Sequence, residues 1–335
     1  FLTPQLLAIL QVDPDLIPAA SSYIYWRGAI ATAALVQSVC LAVILSTRDA
    51  ITPLKIVALS AIVDITGNFP LCVYPFRWGC AGAAAATAFA TLFSSGNMLM
   101  KLSKKKLLPS IVIPKLADLK ELFEYVGPLF VLVISRMIGF VSMQRRAMVF
   151  GTDALAAYQI CFNTMSVFQL FGEPLSQLHQ TKLPALLDAR DKKATLSTMV
   201  SVLSIACYTS IGIGLTTYLT LVFGAGLFTA DADVQSIINN AAPAIAFSVM
   251  QVIMAATVDG AMLAARDFNF IIVVGLLTTT MHVILSTQCT NLSAVFVMYT
   301  LRQVAYMLAV LVRVMIGKGT IGEVLEIKKE IRWKS

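Results

Sequence analysis

The sequence predicts an all-α, polytopic membrane protein, on three observations. Of its 335 residues, 58% are hydrophobic and 13% charged. Soluble domains carry roughly 25% charged residues, so most of this surface must meet a solvent other than water. Long apolar stretches recur, each close to the ~20 residues a helix needs to cross a hydrocarbon core. Their interiors hold Gly and Pro without two-residue alternation, which favours helices over the strands of an outer-membrane barrel.

Nine spans are expected, at 21–46, 52–75, 79–100, 122–144, 153–186, 196–223, 235–264, 270–288 and 292–316. The first follows "VDPDLIP" (12–18) and has Arg27 at its entrance. The second carries Asp64 and Asn68 inside an apolar run, and the third is rich in alanine and contains Thr87. A basic segment, 101–121, separates these from the rest. The fourth span holds Arg136, and the fifth holds Glu173 and Pro174, where a missing backbone donor predicts a kink. The sixth is uniformly apolar. The seventh carries Asp259, the eighth His282 and the ninth Arg302, ahead of a basic tail at 317–335.

Charge orients the chain. "KLSKKK" (101–106), "RDKK" (190–193) and "KKEIRWK" (328–334) fall on one side of the expected topology. The other side has Arg77, Arg145, Arg146 and Arg27. The positive-inside rule puts the basic side in cytoplasm, or in stroma if the membrane is a plastid's. Lys-rich loops also bind anionic lipid, but topology alone accounts for them. The net charge of +7 brings no basic patch interleaved with aromatics, so nucleic acid is not an expected partner. Six cysteines without a CxxC, and two histidines, give no metal-ligand spacing. No P-loop, dinucleotide fingerprint, H-E-x-x-H or G-x-S-x-G occurs. The expectation is a protein that is not an enzyme, has no cofactor, and draws transport energy from an ion gradient.

The two halves echo one another. "VDPDLIP" precedes one long span and "ADADVQS" (230–236) another, at an offset of 218 that also superposes "ILSTRD" (44–49) on "MLAARD" (262–267). Six spans fill the offset, which describes parallel repeats about an axis along the membrane normal. The first copy has no counterpart to the three spans before Asp231, and the chain opens on Phe1 with no signal or transit peptide. A truncated chain is the expectation. The same offset sets Asp64 opposite His282, either by repeat symmetry or by coincidence.

Several segments resemble the multidrug and toxic compound extrusion (MATE) family. "LQVDPDLIPAASSYIYWRG" is similar to the link into that family's fourth helix, and "STRDAITPLKIVALSAIVDITGN" to its fourth-to-fifth helix turn. "WGCAGAAAATAFAT" resembles the sixth helix and "TDALAAYQICFNTMSVFQLFGEPLSQ" (152–177) the eighth. The "GEPLSQ" of the last is most similar to the plant plastid branch that includes the salicylate exporter. The resemblance implies a twelve-helix fold of two six-helix bundles. On it, 1–100 is the end of the third helix and helices four to six, 101–121 an inter-bundle linker, 122–316 helices seven to twelve, and 317–335 a tail.

A carboxylate near the bilayer centre costs about 2.5–3.5 kcal/mol, so Asp64 must face a bundle interior or an aqueous cavity. Asn68, one turn on, shares its face, and both oxygens can converge on one cation or share one proton. Burial disfavours the charged form, which suits a proton carrier. The resemblance implies a proton- or sodium-coupling site of Asp64, Asn68 and Thr87. Here the family's Asn-then-Asp order is reversed, and the acidic residue of its first helix is lacking. The competing reading is an Asp64 capped by hydroxyls such as Ser60 or Thr66.

In the second bundle the candidates for substrate binding or coupling are Asp259, Arg136, Glu173, Gln177 and His282. Asp259 either neutralises Arg136 or serves the substrate. Arg136 or Arg302 could instead take an anionic substrate through a bidentate fork. Glu173 marks either a cavity-lining kink or a wet crevice, and His282 either packs or relays protons. The expected activity is export of organic solutes or xenobiotics by proton- or sodium-coupled antiport. The expected partners are a small-molecule substrate and membrane lipid, with the protein monomeric, in a plastid envelope, plasma or vacuolar membrane. A lipid-linked precursor flippase, or a non-transporting fragment, is the alternative.

Overall fold

The computed structural model of the chain describes Thr3, Gln5 and residues 17–325 apart from 48, 50, 74 and 109–114. Asp13 and Asp15 of the first repeat motif, Arg48 of "ILSTRD" and the block 328–334 lie outside the described residues. The helices are α1 (Ile17–Ala29), α2 (Ala31–Ser46), α3 (Ile51–Cys72), α4 (Cys80–Lys104), α5 (Leu116–Val149) and α6 (Thr152–Gln169). After a 3-10 turn (Leu170–Gly172) come α7 (Glu173–Asp188), α8 (Lys192–Phe228), α9 (Ala232–Ala264), α10 (Phe268–Ser286), α11 (Leu292–Met315) and α12 (Gly319–Leu325).

The sequence writes the starts of four of them. Asp49, Asp191, Asp231 and Asn291 accept backbone hydrogen bonds from Thr52 (3.0 Å), Ala194 (3.0 Å), Asp233 (2.9 Å) and Ala294 (2.8 Å), satisfying amides that the first helical turn leaves unpaired. Three helix ends use a basic residue where glycine is usual. Lys106, Arg190 and Arg266 adopt left-handed φ of 56°, 51° and 56°. The following amides return to Leu102 (3.0 Å), Leu186 (3.2 Å) and Met262 (3.3 Å), closing Schellman caps. The cationic side chain then sits beside the negative end of the helix dipole.

Nine spans were expected; among the described residues six helices are long and apolar enough to cross a membrane, or seven if the bent pair α1–α2 counts as one. That pair is bent by 46°. The correction falls on two stretches. Helix α4, expected as 79–100, is long enough, but its glycines, threonines and serines and Asn97 lower its hydropathy, and ten of its residues are buried. The stretch 153–186 is not one helix: the 3-10 turn divides it into α6 and α7, and α7 carries Gln177, His179, Gln180 and Lys182.

The chain divides into two compact units, Phe1–Ile113 and Pro114–Ser335, the division falling within the basic segment 101–121. In the first, α4 is the centre against which α1, α2 and α3 pack. Small residues allow it: a Cβ on Gly82 would lie 2.4 Å from the Leu71 carbonyl oxygen, so α3 and α4 meet backbone to backbone. Helix α3 buries only Pro53 and Ile56 and leaves most of its apolar surface exposed.

In the second unit α9 is the interior helix, touching α6, α7, α8 and α11, while α5 packs on α10. Two apolar clusters result. One joins Met143, Cys161, Ile238, Val249 and Phe296; the other joins Leu183, Met262, Ile271, Val310 and Ile321. Between them, along α5, α9 and α11, lie Ser135, Arg136, Thr257, Asp259, Thr300 and Arg302. A polar waist between apolar halves is where the chemistry of this unit sits.

Candidate functional site

Helix α5 brings Ser135 and Arg136 to the waist. The Ser135 hydroxyl donates to Thr279 Oγ1 of α10 at 2.8 Å, anchoring the turn. Arg136 Nη2 is ion-paired to Asp259 Oδ2 of α9. Of the two alternatives the sequence left for Asp259, neutralisation by Arg136 is the geometry found. The two side chains are not equally enclosed, since Asp259 is 13% exposed and Arg136 50%, so the guanidinium opens on a cavity that the carboxylate backs.

Close helix contact aims the carboxylate. A Cβ on the neighbouring Gly260 would lie 2.4 Å from the Ser176 carbonyl oxygen, so α7 and α9 cross at backbone distance. One turn away, buried His179 donates from Nδ1 to the Thr257 carbonyl at 2.8 Å, tying the same helices. Neither contact was legible beforehand, because each needs the crossing of α7 and α9 to exist first.

Two cavities meet at the pair. The outer has a volume of about 250 Å³ and is lined by Arg136, Asp259, Gln169, Glu173, Tyr299 and Gln303, among others. The inner, about 20 Å³ and so sized for a group no larger than a water molecule or two, shares Arg136, Asp259 and Gln303 and adds Ser135, Arg302 and Tyr306. Glu173 is on the outer wall, at the first turn of α7, with Gln177 Nε2 donating to its Oε1 at 3.4 Å. Gln177 itself is on neither wall. His282 lines neither: it is buried, edge-on to Tyr299 at 5.8 Å, with Ser286 Oγ 3.5 Å from Nε2. Tyr299, Gln303 and Tyr306 were missed. Their signal was present, since 299, 302, 303 and 306 fall at helical spacing on one face of α11 beside an arginine.

In the first unit, Asp64 and Asn68 are half-buried on α3 and bonded to each other. Asn68 Nδ2 donates to the Asp64 carbonyl at 2.9 Å and to its Oδ1 at 3.2 Å. They flank the stripe by which α3 meets α4: the Ser60 hydroxyl donates to the Ala90 carbonyl at 2.8 Å, and a Cβ on Gly67 would touch Ala86 at 3.5 Å. The capping alternative is not what is found, because Ser60 bonds across to α4 and Thr66 bonds back to Ile62 at 2.7 Å. Thr87 donates to Ala83 of its own helix at 3.1 Å, and no hydrogen bond joins it to the pair among the described residues. Among the described residues no group of three His, Cys, Asp or Glu could hold a metal.

No family model matches this chain. Curated relatives from Arabidopsis thaliana are similar to it: protein DETOXIFICATION 47, chloroplastic, is 28% identical over 261 residues, covering 77% of this chain and 48% of the relative. Protein DETOXIFICATION 45, chloroplastic, is 26% identical, covering 79% and 47%. The chain thus spans about half the length of the curated relatives it matches. Among solved structures, the eukaryotic MATE transporter AtDTX14 superposes with a TM-score of 0.78 at 15% identity, covering 98% of this chain and 76% of that one. An outward-facing multidrug resistance MATE family transporter of the MOP superfamily gives 0.75 at 16%, covering 98% and 74%. The Vibrio cholerae MATE transporter VcmN in its bent form gives 0.67 at 16%, covering 97% and 74%. Nearly the whole of this chain therefore has the all-α, membrane-spanning fold of the MATE transporters.

Proposed function

We propose that the chain is part of a secondary active transporter that exports organic solutes by antiport against protons or sodium ions. The observation that carries this reading is the Arg136–Asp259 pair, set between two cavities in the interior of a transporter fold. Intramembrane charges are costly and belong on solute or ion pathways. In the complete protein, 1–100 would belong to the first six-helix bundle and 122–316 form the second, joined by 101–121. Substrate would occupy the outer cavity, with Glu173 on its wall and Gln177 holding the Glu173 carboxylate from behind.

Coupling is assigned to Asp64 with Asn68. A proton or sodium ion taken up there changes the charge on α3 and so the relative stability of outward- and inward-open states, which is the differential affinity that antiport requires. Thr87 would complete the site only in a state where its hydroxyl leaves the Ala83 carbonyl. A monomer in a plastid envelope is the proposed setting, supported by the chloroplastic designation of two of the relatives above.

The test is uptake by full-length protein in proteoliposomes under imposed proton or sodium gradients, with a panel of organic anions and cations. Gradient-driven uptake of at least one solute is expected, falling by at least about tenfold in Asp64→Asn. Uptake that keeps its dependence on the gradient in that variant removes Asp64 from coupling. Absence of gradient-driven uptake across the panel removes the antiport reading.

A further inference from the structure

We propose that Arg302 anchors an anion site, in which the inner cavity takes one small monovalent anionic group: a free halide or the carboxylate of an organic solute. The proposal deepens the transporter reading and rests on it for its biological meaning, although its test does not.

Arg302 lies ten residues into α11 (Leu292–Met315), about 15 Å from the helix start and so near mid-membrane. It is 5% exposed, and its Nε is enclosed with no hydrogen-bond partner. Among the described residues no carboxylate is ion-paired to it. Its aromatic neighbour, the Tyr299 ring at 6.0 Å, supplies a weak cation–π contact and no acceptor. Lysine in such a place could shed its proton, but a guanidinium stays charged. A lone buried cation is among the most costly arrangements a fold can hold, and one unpaired in the resting geometry is a ligand signal.

The surroundings do not supply the missing charge. Asp259 is committed to Arg136 through Oδ2. Its other oxygen is unpaired, as is the Tyr306 hydroxyl, and both residues line the inner cavity. Glu173 faces the outer cavity and bonds Gln177. The count at the inner cavity is therefore two guanidiniums against one carboxylate. A monovalent anion restores neutrality and accepts from Arg302, with Gln303 and Tyr306 on the same wall as further donors. The walls of Leu132, Ile271 and Gly275 are apolar and limit the size of what enters.

The experiment uses full-length protein in detergent without any gradient. Radiolabelled chloride is followed by equilibrium binding and sodium benzoate by calorimetry, with sulfate holding ionic strength constant. One saturable site is expected in the wild type for at least one of the two probes, weakened at least about tenfold in Arg302→Gln. Thr278→Asp, which keeps Arg302 but places a carboxylate on the cavity wall, is expected to compete the anion out to the same degree. It decides the matter alone if Arg302→Gln is not monodisperse. Chloride binding that benzoate does not displace identifies a free-halide site, and mutual displacement a substrate carboxylate; both support the proposal. No saturable binding of either anion to wild type, or unchanged affinity in the folded variants, overturns it. Anion binding that persists while transport fails would sink the antiport reading and leave this one standing.

Discussion

At the residue scale, the organising fact is that Arg136 and Asp259 neutralise one another while facing a cavity. Breaking a fully buried pair from one side costs about 3–5 kcal/mol, but Arg136 is half exposed, so Asp259→Leu is expected to cost about 1–3 kcal/mol. Arg136→Met combined with Asp259→Leu should recover most of that loss, because both uncompensated charges leave together. Thermal unfolding of the purified single and double variants measures the coupling, and strictly additive losses would show that the pair is not energetically linked. Both residues were visible in the sequence as charges inside apolar runs. Their partnership was one of two open readings, since residues 123 positions apart are joined only by how α5 and α9 pack.

At the element scale, small residues set the geometry. The α7–α9 crossing holds Ser176 against Gly260, the residue next to Asp259. Gly260→Ala must push those backbones apart, with an expected cost of about 1–3 kcal/mol. Because the shift also re-aims Asp259, it should weaken the proposed solute transport beyond what lost stability explains. Measuring transport per folded molecule alongside the unfolding midpoint separates the effects, and an unchanged midpoint would mean the crossing tolerates a methyl group. Helix starts were readable, because an Asp or Asn cap acts within its own turn. The division of 153–186 into α6 and α7 was legible only as a kink at Pro174; the turn lies just before it, at Leu170–Gly172. There Gly172 lies so close to α9 that a Cβ would come within 3.1 Å of Ile253 Cα.

At the scale of the whole molecule, the repeat read from the sequence has a matching pair of ionic contacts. Asp49 accepts from Lys105 Nζ at 2.6 Å in the first unit. Asp267 accepts from Arg313 Nε at 2.6 Å and Nη2 at 2.9 Å in the second. Asp49 and Asp267 are related by the offset of 218, and each bonds the end of the last long helix of its unit. The second contact is the more built: Arg313 also stacks on Phe270 at 4.3 Å, and a Cβ on Gly319 would lie 2.6 Å from Asp267 Oδ2. Asp267→Asn should therefore destabilise more than Asp49→Asn. The Lys105 ammonium and the Thr52 amide hold the Asp49 carboxyl well below the usual carboxylate range. With its acidity raised on folding, its contribution is complete above the unfolded value near pH ~4 and is lost as pH falls below that. Hydrogen exchange at the Thr52 amide should accelerate relative to the Ala83 amide, which bonds a backbone carbonyl, across that acid window, and parallel behaviour of the two amides would remove Asp49 from the account.

What the sequence by itself determined was the solvent and the helical class. Both are written in local composition and spacing, and the apolar length of a segment does not depend on its neighbours. It also flagged Asp64, Arg136, Glu173, Asp259 and Arg302, because a charge in an apolar run is anomalous wherever its partner lies. Only the tertiary structure decided which of those charges meet. It joined Arg136 to Asp259, left Arg302 without an ion-paired carboxylate among the described residues, turned His282 against Tyr299, and showed α4 to be the helix on which its unit packs. Those outcomes depend on how closely small residues let the helices approach. That is a property of two surfaces together, and no single segment carries it.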